Sequence, residues 1–147
     1  MVSIIPSYVY SLFAALVVGT ILVSACSLSM VNIRNEAENQ QLTNINKYIA
    51  TQSITLLNQA LENNQNTSQI LDLPTQVGNQ EYWVFISNDS SAAWVESGFG
   101  TTATLSQPQT AIPIGVAASG LYVSSWGRPI LNCICQNQTV TLTLTSG

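Results

Sequence analysis

The spacing of hydrophobic residues changes twice along the chain and divides it into three stretches. The first, "SYVYSLFAALVVGTILVSACSLSM" over 7–30, is apolar on every side, and no charge precedes Arg34. About 20 consecutive apolar residues suffice to cross a bilayer as a helix. Pro6 stands where such a helix can begin, because the N–H it lacks has no helical partner in the first turn. The second stretch, "VNIRNEAENQQLTNINKYIATQSITLLNQALENNQN", contains neither Gly nor Pro. Leu42, Ile45, Ile49, Leu56 and Ala60 recur in it at helical spacing, with Gln52 interrupting the stripe. Ile54, Leu57 and Leu61 widen the apolar face, and Arg34 and Glu38 sit one turn apart, where they can pair weakly. "ENNQNTS" at 62–68 then stops the helix. The pattern predicts one helix from about Ser7 to about Glu62, on the order of 84 Å long. The alternative is two helices with a break near 29–35.

From Gln69 the period falls to two. "QEYWVFIS" (80–87), "SAAWVES" (91–97), "GLYVSSW" (120–126), "PILNCIC" (129–135) and "TVTLTLT" (139–145) read as strands. The last alternates strictly, with Thr139, Thr141, Thr143 and Thr145 on one face and Val140, Leu142 and Leu144 on the other. "NDS" at 88–90 makes 80–97 a hairpin. "ILDL" (70–73) and "AIPIGVA" (111–117) add short or edge strands, with Pro113 favouring an edge. The expected fold class is therefore α+β. One long N-terminal helix precedes a small antiparallel β-sandwich or curled-sheet head. The expected organisation is a helix over 1–62 (apolar half 7–33, amphipathic half 34–62), a linker at 63–68 and a β-rich head at 69–147. A head of about 80 residues is near the lower limit for a stable core, so the amphipathic half-helix is expected to complete it. Leu42, Ile45, Ile49, Leu56 and Ala60 are the expected helix–head packing residues. Trp83, Trp94 and Trp126 are expected to pack in the core or against turns.

Small residues recur within the apolar stretch: Ser11, Ala15 and Gly19 are spaced four apart, as are Thr20 and Ser24. That spacing places them on one helix face, where another helix can approach closely. They form the candidate helix–helix interface. A cleaved secretory signal needs a basic start, and none precedes this segment. The cytoplasmic flank of a plain anchor also carries basic residues, yet Arg34 and Lys47 lie beyond the other end. A basic leader removed ahead of Met1 would account for both. "VSAC" at 23–26 resembles the lipobox of bacterial lipoproteins, which would make Cys26 a lipid-attachment site.

Composition narrows the function. Charged residues make up 7% of the 147 residues, against roughly 25% in ordinary soluble domains. With three basic residues and a net charge of −4 there is no basic patch, so nucleic acid is not an expected partner. Outside the apolar stretch Ser, Thr, Asn and Gln dominate, and there is no histidine. Such a surface depends little on pH, which suits a harsh extracellular setting. Without histidine there is no Ser-His-Asp or Cys-His arrangement, and no nucleotide loop occurs. Glu36 and Glu38 are the only close acidic pair. No catalytic residue, cofactor or metal site is expected, and the chain is not expected to be an enzyme.

Cys133 and Cys135 flank Ile134, so on a strand both point to one face. Alternate residues on an extended strand sit near or beyond the usual disulfide separation, and two thiolates alone make a poor zinc site. They read as buried free thiols or, alternatively, as a strained or cross-chain disulfide. Three Asn-x-Ser/Thr sequons, at Asn66, Asn88 and Asn137, all follow the helix and are candidate sites for N-linked glycans.

This layout resembles the type IV pilin superfamily, whose members join a long helix, apolar first and amphipathic second, to a β-rich head. The resemblance covers the whole chain and is architectural. The uncharged Ser/Thr/Asn-rich head and the three sequons look most like archaeal members. Ile5 stands where many bacterial pilins carry glutamate, which also fits an archaeal member. The resemblance implies a structural subunit of an extracellular filament at the cell surface, inserted in the membrane before assembly. Its partners would be copies of itself and a pilus assembly machinery, and its role adhesion or surface attachment. The rival expectation is a monomeric membrane-anchored extracellular β-domain protein, such as a minor pilin-like or surface-layer-binding component.

Overall fold

The computed structural model describes residues 4–89, 91–104, 109–112, 116–136 and 139–147. Helix α1 (Ile4–Asn63) is followed by strands β1 (Thr67–Ile70), β2 (Tyr82–Asn88), β3 (Ala93–Phe99) and β4 (Gln109–Ile112). Strands β5 (Ala117–Val123), β6 (Pro129–Gln136) and β7 (Thr139–Ser146) complete the chain. The fold is α+β, one long helix and a sheet head. The chain divides into two compact units, Met1–Ala37 and Glu38–Gly147.

In the first unit the helix is apolar and solvent-facing: Tyr8, Leu12, Phe13, Leu16, Ile21, Leu22, Leu28 and Ile33 are all more than half exposed. Among the described residues its serine and threonine hydroxyls bond back to the helix itself. Thr20 Oγ1 donates to the Val17 carbonyl at 2.8 Å, Ser24 Oγ to Thr20 at 2.8 Å, Ser27 Oγ to Val23 at 2.9 Å and Ser29 Oγ to Ala25 at 3.0 Å. A serine or threonine that bonds back to its own helix brings no unmet polar group into an apolar medium.

In the second unit residues 38–63 of α1 lie on a seven-stranded sheet. Leu42, Ile45, Ile49, Ala50, Leu56, Leu57 and Ala60 join one hydrophobic core with Tyr82, Val84, Ile86, Val95, Tyr122, Leu131, Leu142 and Leu144 of the strands. Ile54 is half-buried, whereas Leu61 is 49% exposed and lies off the buried face. The buried stripe is completed by two polar residues, Asn46 and Ser53, both fully buried. Past Asn63 the chain turns through Asn64 (φ 49°), and Gln65 N–H donates to the Ala60 carbonyl at 3.3 Å. This left-handed cap satisfies a terminal carbonyl of the helix.

The strand order is β1-β6-β7-β5-β2-β3-β4. All pairings are antiparallel except β5 with β7, so the sheet is mixed. It is a single sheet, with α1 rather than a second sheet covering its inner face. Alternation sets the faces: in β7 Val140, Leu142 and Leu144 are buried while the intervening threonines are half-buried or exposed. The β2–β3 hairpin pairs Tyr82–Asn88 with Ala93–Phe99.

Two glycines stand where a β-carbon has no room. Val77 and Gln80 exchange both backbone hydrogen bonds at 3.0 Å around Gly78 (φ 59°) and Asn79 (φ 69°), a two-residue turn that needs positive φ at both positions. Glu38, buried on the helix, fills the space beside this turn, and a β-carbon on Gly78 would strike its carboxylate. Gly120 (φ 141°) lies where β5 leaves β7, and a β-carbon there would strike the Leu144 backbone. Backbone cannot rotate away as a side chain does. Gly120→Ala is therefore expected to cost at least about 1–3 kcal/mol, measured as a lowered urea midpoint with an unchanged m-value.

Candidate functional site

Among the described residues, most of the exposed large apolar side chains lie on the first unit. One helical turn after another presents a small residue on the same face, leaving a groove of about 430 Å³ lined by Ala15, Leu16, Gly19, Thr20, Val23 and Ser24. Four of the five residues of the candidate interface, Ala15, Gly19, Thr20 and Ser24, thus share one groove. The fifth, Ser11, lies outside its lining, and its hydroxyl donates to the Tyr8 carbonyl at 3.0 Å. The groove exists because Gly19 and Ala15 carry almost no side chain between the flanking Leu16 and Val23. The helix is long and apolar enough to cross a membrane.

The packing residues Leu42, Ile45, Ile49, Leu56 and Ala60 are all less than one-tenth exposed. Their role is to hold α1 on the sheet. The three cysteines are free. Cys133 is buried on the inner face, where burial, and then the neighbouring Cys135, push its thiol above the usual range. It is thereby kept protonated and unreactive. Cys135 is half-buried, with Sγ 3.5 Å from Asn64 Oδ1. Cys26 is exposed on the apolar helix.

Of the sequons, Asn66 and Asn88 are both exposed, and Asn137 lies outside the described residues. Asn66 Oδ1 accepts the Cys135 N–H at 3.0 Å. Asn88 uses both ends of its amide: Oδ1 accepts the Ala118 N–H at 3.0 Å, and Nδ2 donates to the Asp89 carbonyl at 3.1 Å. Asp89 in turn closes the hairpin loop. Its carboxylate accepts the backbone N–H groups of Ser91 and Ala92, each at 2.7 Å, and the Ser91 hydroxyl at 2.9 Å. These bonds, led by the Ser91 N–H, hold its carboxyl below the usual range.

The sequence pattern missed a polar cluster on the outer face of the sheet. Glu96 is 2% exposed, and one of its carboxylate oxygens accepts Trp94 Nε1–H and Gln109 Nε2–H, both at 2.6 Å. Gln109 stands opposite Glu96 in the β3–β4 pair, so the bond ties the short edge strand to its neighbour. The signal available was the i, i+2 spacing of Trp94 and Glu96, which places both on one face of a strand. Trp83 is 1% exposed and packs across Gly98, whereas Trp126 is half exposed on the turn after β5. The head also carries a cleft of about 420 Å³ lined by residues that include Asp72, Tyr122 and Arg128. The Tyr122 hydroxyl donates to the carbonyl of Gly127, another lining residue, at 3.0 Å. Among the described residues no group of three or more Cys, Asp or Glu side chains is placed to hold a metal ion.

No protein-family model, curated protein or solved structure matches the chain.

Proposed function

We propose that this chain is the structural subunit of an extracellular type IV pilus-like filament, with apolar helices bundled in the core and β heads on the surface. The observation that carries the reading is the division of labour within α1. Its first half bears a continuous exposed apolar surface with a small-residue groove, and its second half is built into the core of the head. A bare apolar helix of this length cannot remain in water. Lipid would cover it before assembly, and copies of the same helix afterwards. Extraction and polymerisation would fall to a pilus assembly machinery, since the chain has no nucleotide-binding motif to drive them. The heads, poor in charge and rich in neutral polar groups, would form the outer surface and serve adhesion or surface attachment. N-linked glycans on that surface belong to the same reading.

Electron microscopy of material sheared from cells that express the chain tests this. Filaments whose mass spectra contain its peptides are expected. Recovery of the chain only from detergent-extracted membrane would sink the filament and leave the anchored monomer.

A further inference from the structure

We infer that Asn66 is the sequon the folded head presents for modification, and that Asn88 is withheld. The inference rests on the reading that the head faces the cell exterior, and it adds which asparagine carries a glycan. At the start of β1, Thr67 pairs with Cys133, and the next strand bond is made by a side chain: Asn66 Oδ1 takes the place of a backbone carbonyl and receives the Cys135 N–H. The acceptor must be the oxygen, which fixes the orientation of the planar amide. Nδ2 takes no part in that bond, and among the described residues it has no hydrogen-bond partner. Ser68, whose hydroxyl completes the sequon, is exposed two residues along the same strand. Strand alternation places it on the same face as Asn66. Beside both lies a cleft of about 310 Å³ whose lining joins Asn66, Thr67 and Ser68 to Asn132, Cys133 and Ile134 of β6, with Thr143. Its mixture of amide, hydroxyl and a part-exposed isoleucine matches the alternating polar and apolar faces of a sugar ring, so a first sugar on Asn66 has a surface to lie on. Asn88 differs because its amide is held at both ends: one Nδ2–H donates to the Asp89 carbonyl, and Oδ1 accepts the Ala118 N–H of β5.

The modification joins Asn66 Nδ2 to the anomeric carbon of a lipid-phosphate-linked oligosaccharide. The C–N bond forms as the anomeric C–O bond to phosphate breaks. Nδ2 loses one proton, and the lipid phosphate leaves. A membrane-bound transferase supplies the catalysis. The Oδ1 bond to Cys135 survives, so the strand keeps its cap.

The test is glycopeptide mass spectrometry on the chain purified from its native cells, alongside Ser68→Ala. That variant destroys the sequon and leaves the Asn66 cap untouched. The expected result is a glycan mass on the Asn66 peptide, a bare Asn88 peptide, and complete loss of the Asn66 mass in Ser68→Ala with an unchanged circular-dichroism spectrum. An unmodified Asn66, a glycan on Asn88, or a mass on Asn66 that persists in Ser68→Ala would overturn the inference. A glycan on Asn88 with Asn66 bare overturns it while leaving the exterior location standing. Glycan on Asn66 without filaments in the microscope removes the filament and keeps this site.

Discussion

A chain beginning at Glu38 is expected to fold as a soluble, cooperative unit, and a chain beginning at Asn64 is expected not to fold at all. The two cuts differ by 38–63, the part of α1 that belongs to the compact unit Glu38–Gly147. That segment contributes Leu42, Ile45, Ile49, Leu56 and Leu57 to the core, each at most 7% exposed. Full burial of such side chains is worth roughly 1.5–3 kcal/mol each, so the five together supply on the order of 10 kcal/mol. A whole domain is stable by only about 5–15 kcal/mol. Removing them would also bare the inner face of the sheet, including Val84, Ile86 and Leu142, all 0% exposed. Cutting at Glu38, by contrast, takes away a surface that is already exposed and no residue of the core. Circular dichroism and urea unfolding of the two chains decide the matter. A cooperative transition in the shorter chain would show that the sheet does not depend on the helix.

The helix was legible because 3.6-residue spacing, the absence of Gly and Pro over 31–66 and a clear stop cluster all agree. Its observed limits, Ile4 and Asn63, bracket the expected ones. The strands were legible wherever alternation was strong, as in β7. They were less so at β1, placed by pattern at 70–73 and found at Thr67–Ile70. There the apolar run "ILDL" misled, because what starts the strand is polar: the Asn64 turn and the Asn66 side chain standing in for backbone. The parallel β5–β7 pair left no local signal, since pairing of that kind is decided by contacts far apart in sequence. Buried polar residues escaped for a related reason. Asn46 and Ser53 fall on the buried stripe of α1, Glu38 lies under the Gly78 turn and Glu96 is bound to Trp94 and Gln109. Each is buried in its location and polar in its chemistry, so a hydrophobic pattern counts it on the wrong side. The candidate helix interface follows from spacing alone, which on a single regular helix fixes which residues share a face. Spacing does not reveal that Ser11 lies outside the groove that the other four line together with Leu16 and Val23.

Gly19→Leu is expected to abolish filaments while leaving membrane insertion and the folded head intact. Helices that cross at small residues approach more closely than the usual 8–10 Å between axes, and a leucine in the middle of the groove would hold them apart along several turns. In the single chain the position is open: a β-carbon on Gly19 meets no atom within 4 Å. The substitution also replaces the poorer helix former with a better one, a gain of up to about 0.8 kcal/mol in helix propensity. It adds apolar surface to a segment that already passes for a membrane span. Neither the subunit nor its precursor should therefore suffer, and any loss falls on association between copies. Gly19→Ala, which adds one methyl group, should lie between wild type and Gly19→Leu. The measurement is the yield of sheared filaments by electron microscopy, set against the amount of chain in detergent-extracted membrane. Wild-type filament yield from Gly19→Leu would show that the groove faces away from every neighbouring helix and that assembly rests on another face of α1.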